Sequence, residues 1–126
     1  MAKSTKTVLI IEDDAALSDA FNMILKHAGY KVKVAYNGRL ALDWLENHTP
    51  DLILLDILMP VMDGREFLMN YRNDQSVPIT ALSNLDARTD VEQIVKLGAT
   101  SYTLKSSVTP DKLLDIVEQA LGSDKK

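Results

Sequence analysis

The sequence contains no cysteine and only two histidines among its 126 residues. Disulfide bonds and thiolate metal sites are therefore excluded, and the isolated positions of His27 and His48 give no reason to expect a histidine-rich metal site. Clusters of basic residues are also missing, and the formal net charge is −4. Direct nucleic-acid binding therefore has no electrostatic support, and we do not expect it.

Long hydrophobic runs are missing as well. The first apolar run, Val8 to Ile11, ends at Glu12, and neither a membrane span nor a signal-peptide pattern follows from it. A chain with 46% hydrophobic and 25% charged residues is typical of soluble globular proteins, and we expect it in the cytoplasm. Its length suits one domain that buries roughly two-thirds of its unfolded surface. We expect a single domain over residues 1–126, with a core at about 7–121, no effector domain and short tails that favour a stand-alone protein.

Segments with strand-like composition alternate with helical patterns along the whole chain, and this order predicts a parallel sheet covered by helices. Asp14 and Thr109 are candidate N-caps of the first and last helices, Pro110 suits a first helical position, and Gly29 is a candidate C-cap. The third helix is predicted over 64–71, and the helix that contains Ile94 should end at Gly98. Strands are predicted over 7–11, 31–35, 51–56, 78–82 and 101–104.

The strands also indicate their place in the sheet. Residues 8–11, 52–55 and 79–82 form continuous apolar runs apart from Thr80, which is typical of central strands buried on both faces. Residues 31–34 and 101–104 alternate polar with apolar side chains and should be the edges. With right-handed crossovers this predicts a doubly wound α/β fold with strand order 2-1-3-4-5. The order reverses between strands 1 and 3, so a ligand crevice is expected at their carboxyl ends.

Acidic residues follow both of these strands. Glu12, Asp13 and Asp14 come after strand 1, and Asp56 ends strand 3. Each acid alone could merely cap the next helix, and Asp14 is assigned to that role. Several carboxylates in one crevice repel one another unless a cation neutralises them. Carboxylate and carbonyl oxygens suit Mg²⁺, so we expect this ion at the crevice.

Several segments of the chain form a pattern of motifs at characteristic spacing. They are Ile10-Ile11-Glu12-Asp13-Asp14, Leu54-Leu55-Asp56-Ile57-Leu58-Met59-Pro60 with Asp63-Gly64, Pro78 to Ser83, Gly98-Ala99, and Tyr102-Thr103-Leu104-Lys105. In both order and spacing these segments resemble the receiver domain of two-component response regulators. The resemblance extends from Val8 to about Leu121, and its most specific part runs from Asp56 to Gly64.

The resemblance implies a phosphorelay switch in which Asp56 accepts a phosphoryl group. Glu12, Asp13 and Asp56 would hold Mg²⁺, together with the backbone carbonyl of Leu58. Such a domain is a signalling protein that catalyses only its own phosphorylation and dephosphorylation. The phosphodonor would be a sensor histidine kinase, a phosphotransfer protein or a small molecule.

The resemblance also assigns roles on the other side of the crevice. Ser83 and Lys105 would contact the phosphoryl oxygens, and Tyr102 would act with Ser83 as the switch. A downstream protein would bind the face formed by the fourth helix, the fifth strand and the last helix. We expect no membrane partner, and a monomer or a weak dimer.

Two residues depart from the family pattern. Receivers commonly have proline after the lysine, often with a cis peptide bond, whereas this chain has Ser106. Because a cis bond before a residue other than proline costs about 2.5–4 kcal/mol, we expect a trans Lys105–Ser106 bond and an altered loop. The residue after Ser83 is usually very small, and here it is Asn84, which could narrow access to Asp56.

Three other functions remain open on the sequence. A flavodoxin-like electron carrier would need a hydroxyl- and glycine-rich phosphate loop after strand 1, where this chain has three acids. A Mg²⁺-dependent phosphatase with an aspartate nucleophile would carry Asp-x-Asp there, a spacing that Glu12-Asp13-Asp14 lacks. A degenerate receiver that acts only as a binding module is disfavoured by the intact Asp56 and Lys105.

Overall fold

The structure, a computed structural model, describes residues 5–59, 61–84 and 88–122, and only the backbone of 88–90. It contains five strands, five α-helices and one short 3-10 turn in alternating order. The strands are β1 (Thr7–Ile11), β2 (Lys31–Ala35), β3 (Leu52–Asp56), β4 (Ile79–Ser83) and β5 (Ser101–Leu104). The helices are α1 (Ala15–His27), α2 (Gly38–Leu45), α3 (Gly64–Asn70), α4 (Arg88–Lys96) and α5 (Pro110–Ala120), and the 3-10 turn spans Lys105–Ser107.

All strand pairs are parallel and the order is β2-β1-β3-β4-β5, which confirms the predicted doubly wound sheet. Strands β3 and β4 are buried at every position, and β1 at all but its first. Strands β2 and β5 are the partly exposed edges, as their alternating sequences predicted. The sheet order therefore reverses between β1 and β3, and their carboxyl ends lie side by side.

Helices cover both faces of the sheet because alternate strand residues point to opposite sides. On one face, Ile53 and Leu55 pack with Phe67 of α3 and Ile94 of α4. On the other face, the side chains of β1 and β3 pack with α1 and α5, through Leu25 and Leu113 among others. Among the residues that the structure describes, no helix is long and apolar enough to cross a membrane.

Both predicted N-caps are present. Oδ1 of Asp14 accepts a hydrogen bond from the Leu17 amide at 3.1 Å, and the Thr109 hydroxyl accepts one from the Lys112 amide at 3.2 Å, with Pro110 at the start of α5. Gly29, the predicted C-cap of α1, lies one position beyond the observed cap. Ala28 is the C-cap of α1, and Gly29 follows it with a φ of 103°, a left-handed conformation that favours glycine.

Element boundaries differ from the prediction by one residue in β3, β4 and α3, and by two residues in α4, which ends at Lys96 and not at Gly98. β3 begins at Leu52. Just before it, the Asp51 side chain accepts the Thr7 amide at 2.8 Å and the Asp51 amide donates to the Thr7 carbonyl at 2.8 Å. β4 begins after Pro78, which has no N–H to donate to the ladder, and extends to Ser83. Helix α3 ends at Asn70, one residue before the predicted end.

The connection from β3 to α3 folds back tightly onto the end of β3. The Gly64 amide donates a hydrogen bond to the Ile57 carbonyl at 2.8 Å. A Cβ at Gly64 would lie 2.7 Å from the Ile57 Cα and 2.9 Å from the Asp56 carbonyl oxygen, so only glycine fits. Val61, in the same connection, has a φ of 68° although it is β-branched. The backbone beside Asp56 is thus held in a close and partly strained loop.

Candidate functional site

Three carboxylates meet at the carboxyl ends of β1 and β3. One oxygen from each of Glu12, Asp13 and Asp56 lies within 4.8 Å of the other two. Glu12 is 2% exposed and Asp56 4% exposed, whereas Asp13 faces solvent. The neighbouring Asp14 instead caps α1, which is the role that the sequence indicated.

Lys105, just after β5, reaches across the sheet to this cluster. Its Nζ lies 3.0 Å from Oε1 and 3.2 Å from Oε2 of Glu12, and 3.2 Å from Oδ2 of Asp56. The lysine side chain is 20% exposed, so its ammonium is close to solvent but directed at two buried acids. A single positive charge therefore bridges the residues that follow β1 and β3.

Burial and the lysine have opposite effects on the two buried acids. Desolvation is the largest influence on Glu12 and, although the hydrogen bond from Lys105 opposes it, the pKa of Glu12 is raised from 4.5 to about 7. Desolvation also raises the pKa of Asp56, and the Lys105 charge again opposes the rise. Burial lowers the pKa of Lys105, but its contacts with Glu12 and Asp56 outweigh that effect and raise it. The ammonium of Lys105 thus offsets the effect of burial on the two acids only in part.

The cluster fits a hard divalent cation. Mg²⁺ takes oxygen ligands and is usually bound through one or two carboxylates, waters and phosphate oxygens. The three converging carboxylates supply such oxygens. Burial raises the pKa of Glu12 to about 7 in spite of the ammonium of Lys105, so a further cation at the site would favour the ionised form of this carboxyl. The described residues hold no second group of three or more histidine, cysteine or acidic side chains with this geometry.

Ser83 and Tyr102 lie on the neighbouring strands. Ser83 ends β4 and is 1% exposed, beside Leu104 in the sheet register. Tyr102 packs against the core on the α3 and α4 side, and its hydroxyl donates a hydrogen bond to the Ser83 carbonyl at 3.0 Å. The tyrosine ring therefore faces inward, and it links β5 to the end of β4.

The two departures from the receiver pattern meet in one contact. Oδ1 of Asn84 accepts a hydrogen bond from the Ser106 amide at 2.9 Å. The described residues contain no cis peptide bond, so the expected trans geometry of Lys105–Ser106 is confirmed. The amide oxygen of Asn84 is thus engaged with the loop after β5.

Leu58 lies two residues beyond Asp56 in the tight connection to α3, with its side chain exposed. The role of its backbone carbonyl in metal binding stays a prediction. Pro60 of the motif lies outside the described residues, as does Leu85, the second residue after Ser83.

The sequence predicted that five residues lie at the carboxyl ends of the strands: Glu12, Asp13, Asp56, Ser83 and Lys105. The structure brings Lys105 and the three acids together there. The sequence did not predict that one lysine contacts both buried acids, or that Asn84 and Ser106 form a hydrogen bond. The signal for the second contact was present, since the chain differs from the receiver pattern at both positions.

The sheet order, the two helical layers and the acid–lysine cluster define a doubly wound α/β protein of the flavodoxin-like class. The sequence model of the response regulator receiver domain matches residues 8–118. The chain therefore belongs to the response regulator receiver family. This membership favours the receiver interpretation over the electron carrier and the phosphatase.

Solved structures of receiver domains are similar over nearly the whole chain. The receiver domain of a signal transduction histidine kinase from Syntrophus aciditrophicus is 29% identical, with a TM-score of 0.83 over 97% of this chain and 94% of that one. A CheY-like receiver domain protein from Methanospirillum hungatei is also 29% identical, with a TM-score of 0.87 and coverage of 94% and 95%. The chemotaxis protein CheY4 of Vibrio cholerae is 30% identical, with a TM-score of 0.85 and coverage of 93% and 99%.

Proposed function

We propose that this receiver domain accepts a phosphoryl group on Asp56 from a histidine kinase, a phosphotransfer protein or a small phosphodonor. The observation that carries the proposal is the position of Lys105, whose ammonium lies 3.2 Å from Asp56 and 3.0 Å from Glu12. A buried carboxylate beside a cation and two further acids is suited to phosphoryl transfer. That reaction requires an aligned nucleophile and charge stabilisation, and little other chemistry from the protein.

The reaction is a displacement at phosphorus. A carboxylate oxygen of Asp56 forms a bond to the phosphorus, and the bond from phosphorus to the donor nitrogen or oxygen breaks, with its electron pair leaving on the donor. An acyl phosphate results. Lys105 favours the ionised form of Asp56, because its charge opposes the effect of burial on the pKa of that carboxyl, and its ammonium can then balance charge on a phosphoryl oxygen. Ser83, buried at the end of the adjacent strand, would donate its hydroxyl to another.

Glu12, Asp13 and Asp56 would hold Mg²⁺, with the Leu58 carbonyl as a fourth protein ligand. When bound, the ion would neutralise charge on the phosphoryl oxygens. The role of Glu12 is to supply negative charge for the ion. Ionisation of a carboxyl whose pKa is about 7 becomes favourable once another positive charge is nearby.

Tyr102 provides a route from the site to a surface. Its hydroxyl binds the carbonyl of Ser83, the residue assigned to the phosphoryl group, so a movement of Ser83 is transmitted to β5. Val95 of α4 and Leu104 of β5 are exposed apolar side chains on this side of the sheet. A downstream protein would bind the face formed by α4, β5 and α5, whose shape differs between the two states.

The test is incubation with Mg²⁺ and acetyl phosphate, followed by intact mass measurement and mapping of the modified residue. We expect the mass of one phosphoryl group on Asp56, formed with Mg²⁺ and not with chelator. A phosphoryl group on another residue would contradict the proposal.

Two variants make the experiment specific. Asp56→Asn should take up no phosphoryl group. Asp51→Asn, at the other end of the same β-strand segment, is the matched control and should be phosphorylated like the wild type. Continuous release of inorganic phosphate from a phosphomonoester by the wild type would instead indicate an enzyme.

A further inference from the structure

Asn84 and Ser106 join two loops that are far apart in the sequence. The hydrogen bond from the Ser106 amide to Oδ1 of Asn84 spans 22 residues and connects the end of β4 with the 3-10 turn after β5. We call this contact the cross-loop cap. Both residues are exposed, so burial of apolar surface does not account for the pairing.

The cross-loop cap satisfies a need of the 3-10 turn Lys105–Ser107. The first N–H groups of a helical turn have no partner within it, and a side-chain oxygen of the preceding residue commonly accepts one of them. Here the preceding residue is Leu104, which makes no such side-chain bond. The amide oxygen of Asn84, which follows the neighbouring strand β4, acts as this acceptor instead.

The two residues are chemically complementary. A proline at position 106 would have no N–H, so an acceptor at position 84 would have nothing to bind. A very small residue at position 84 would leave the Ser106 N–H without this acceptor. The two differences from the family pattern are therefore one structural feature.

The feature bears directly on Lys105, which is the first residue of the capped turn. Two other bonds shape the turn locally, from the Ser107 hydroxyl to the Leu104 carbonyl at 2.8 Å and from the Val108 amide to the Lys105 carbonyl at 3.2 Å. The cross-loop cap attaches the turn to the end of β4, which directly neighbours the strand of Asp56. The backbone from which the long lysine side chain reaches Glu12 and Asp56 is thereby fixed.

We propose that Asn84 is a positioning residue for Lys105, acting through the cross-loop cap. By this means the chain holds its lysine over the two carboxylates with a trans Lys105–Ser106 peptide bond and without proline. The geometric part of this proposal is independent of the proposed function, and only its kinetic part rests on phosphorylation of Asp56.

The geometric part is tested by NMR on the full chain. We expect a scalar coupling across the hydrogen bond between the Ser106 amide nitrogen and the Asn84 side-chain carbonyl carbon. In Asn84→Ala, solvent exchange of the Ser106 amide should accelerate about 2- to 12-fold, the range that corresponds to one net hydrogen bond. The ε-methylene resonances of Lys105 should also shift.

The controls are Asn84→Asp and Asn73→Ala. Asn84→Asp keeps an acceptor oxygen and should restore slow exchange at Ser106. Asn73→Ala removes another amide oxygen that accepts a backbone N–H, that of Val77 at 2.8 Å, in the loop before β4 at the opposite end of the sheet. It should leave both the Ser106 exchange and the Lys105 resonances unchanged. Unchanged Lys105 resonances in Asn84→Ala would overturn the positioning role.

The kinetic part is tested by a double-mutant cycle on phosphorylation by acetyl phosphate. Asn84→Ala alone should slow the reaction about 2- to 12-fold, again the range of one net hydrogen bond. In the Ser106→Pro background, Asn84→Ala should have no further effect, because no N–H is left to bind. Equal slowing in both backgrounds would show that Asn84 does not act through Ser106 and would overturn the proposal. If the wild type is not phosphorylated, the proposed function fails, and the NMR experiments still decide the positioning role.

Discussion

Glu12 is the side chain whose ionisation most directly reports the charge balance of the site. Its pKa in the folded chain is about 7, above the ordinary value of 4.5. Between these values the folded chain binds more protons than the unfolded chain, so the free energy of unfolding falls as pH rises. The stabilisation is complete below pH 4.5 and is lost as pH rises through about 7.

We therefore expect the wild type in chelator to lose up to about 3 kcal/mol of stability between pH 4.5 and 7, relative to Glu12→Gln. Urea unfolding of both proteins across this range measures the difference. Because both proteins contain the other carboxylates, their contributions cancel in the difference between the two free energies of unfolding. A difference that does not change with pH, or that moves in favour of the wild type, would show that Glu12 is ionised normally.

Asp56 adds a second buried negative charge beside Glu12. Because burial raises its pKa, ionisation of Asp56 opposes folding when no metal is present. We expect Asp56→Asn to stabilise the protein in chelator at neutral pH. Mg²⁺ should raise the thermal midpoint of the wild type, and should raise that of the variant less. A variant that is equally or less stable in chelator would contradict this expectation.

Leu58 bears on the lifetime of the phosphorylated state. Its side chain is 55% exposed, two residues from Asp56, and it has no polar group to orient a water molecule. A positioned polar group that assists such an attack contributes typically about 10²–10⁴-fold, so hydrolysis of the acyl phosphate should be slow by receiver standards. Leu58→Asn combined with Leu85→Glu should shorten the lifetime, as measured by timing phosphate release. Equal lifetimes would exclude these apolar side chains as its cause, although the position of Leu85 itself lies beyond the described residues.

At the scale of elements, the β3–α3 connection contains one residue whose backbone conformation is unfavourable and lowers the stability of the fold. Val61 has a φ of 68° and is 79% exposed, so its side chain gains little packing in return for an unfavourable backbone. Val61→Gly should raise the free energy of unfolding by about 0.5–1 kcal/mol, after the greater freedom of glycine in the unfolded chain is subtracted. Denaturant unfolding measures the gain.

Ser76→Gly is the comparison for this variant. Ser76 also has a left-handed φ, 55°, but its side chain is not β-branched. Its gain should be smaller than that of Val61→Gly. A loss of stability in Val61→Gly would mean that the valine side chain makes a contribution which its exposure does not reveal.

The elements themselves were largely predictable because each strand has a distinct pattern. β3 is apolar at every position before Asp56, as a strand buried on both faces must be, and β2 alternates lysine with valine. The strand order then placed Asp56 and Glu12 side by side. The left-handed Val61 could not be foreseen, since no glycine or asparagine marks that position.

Contacts between distant loops were the least predictable part of the site. The bond between Asn84 and Ser106 depends on how the ends of β4 and β5 are aligned, which no local pattern encodes. The same is true of the Lys105 side chain, whose reach to both acids depends on the twist of the whole sheet. The sequence predicted that these residues lie at the carboxyl ends of the strands, but it could not predict which of them form hydrogen bonds or ion pairs with one another.

At the scale of the whole molecule, we expect phosphorylation to change the structure on one side of the molecule, that of α4, β5 and α5. The hydroxyl bond from Tyr102 to the Ser83 carbonyl connects the site with β5. We expect amide exchange to change in α4, β5 and α5 when Asp56 is phosphorylated, because both residues lie on that side. Hydrogen exchange measured by mass spectrometry with and without acetyl phosphate tests this. Changes confined to α2 would contradict it.

The Lys105 bridge also has a consequence for the order of folding. Lys105 and Glu12 are 93 residues apart, and the strands that carry Glu12 and Asp56 join the sheet beside each other without needing β5. Contacts of such long sequence separation require the largest loop to close before they form. During synthesis, the chain would thus bring Glu12 and Asp56 together before the ammonium of Lys105 can reach them. The site then stays without its lysine until the end of β5 is in place, because Lys105 lies in the turn that follows this strand.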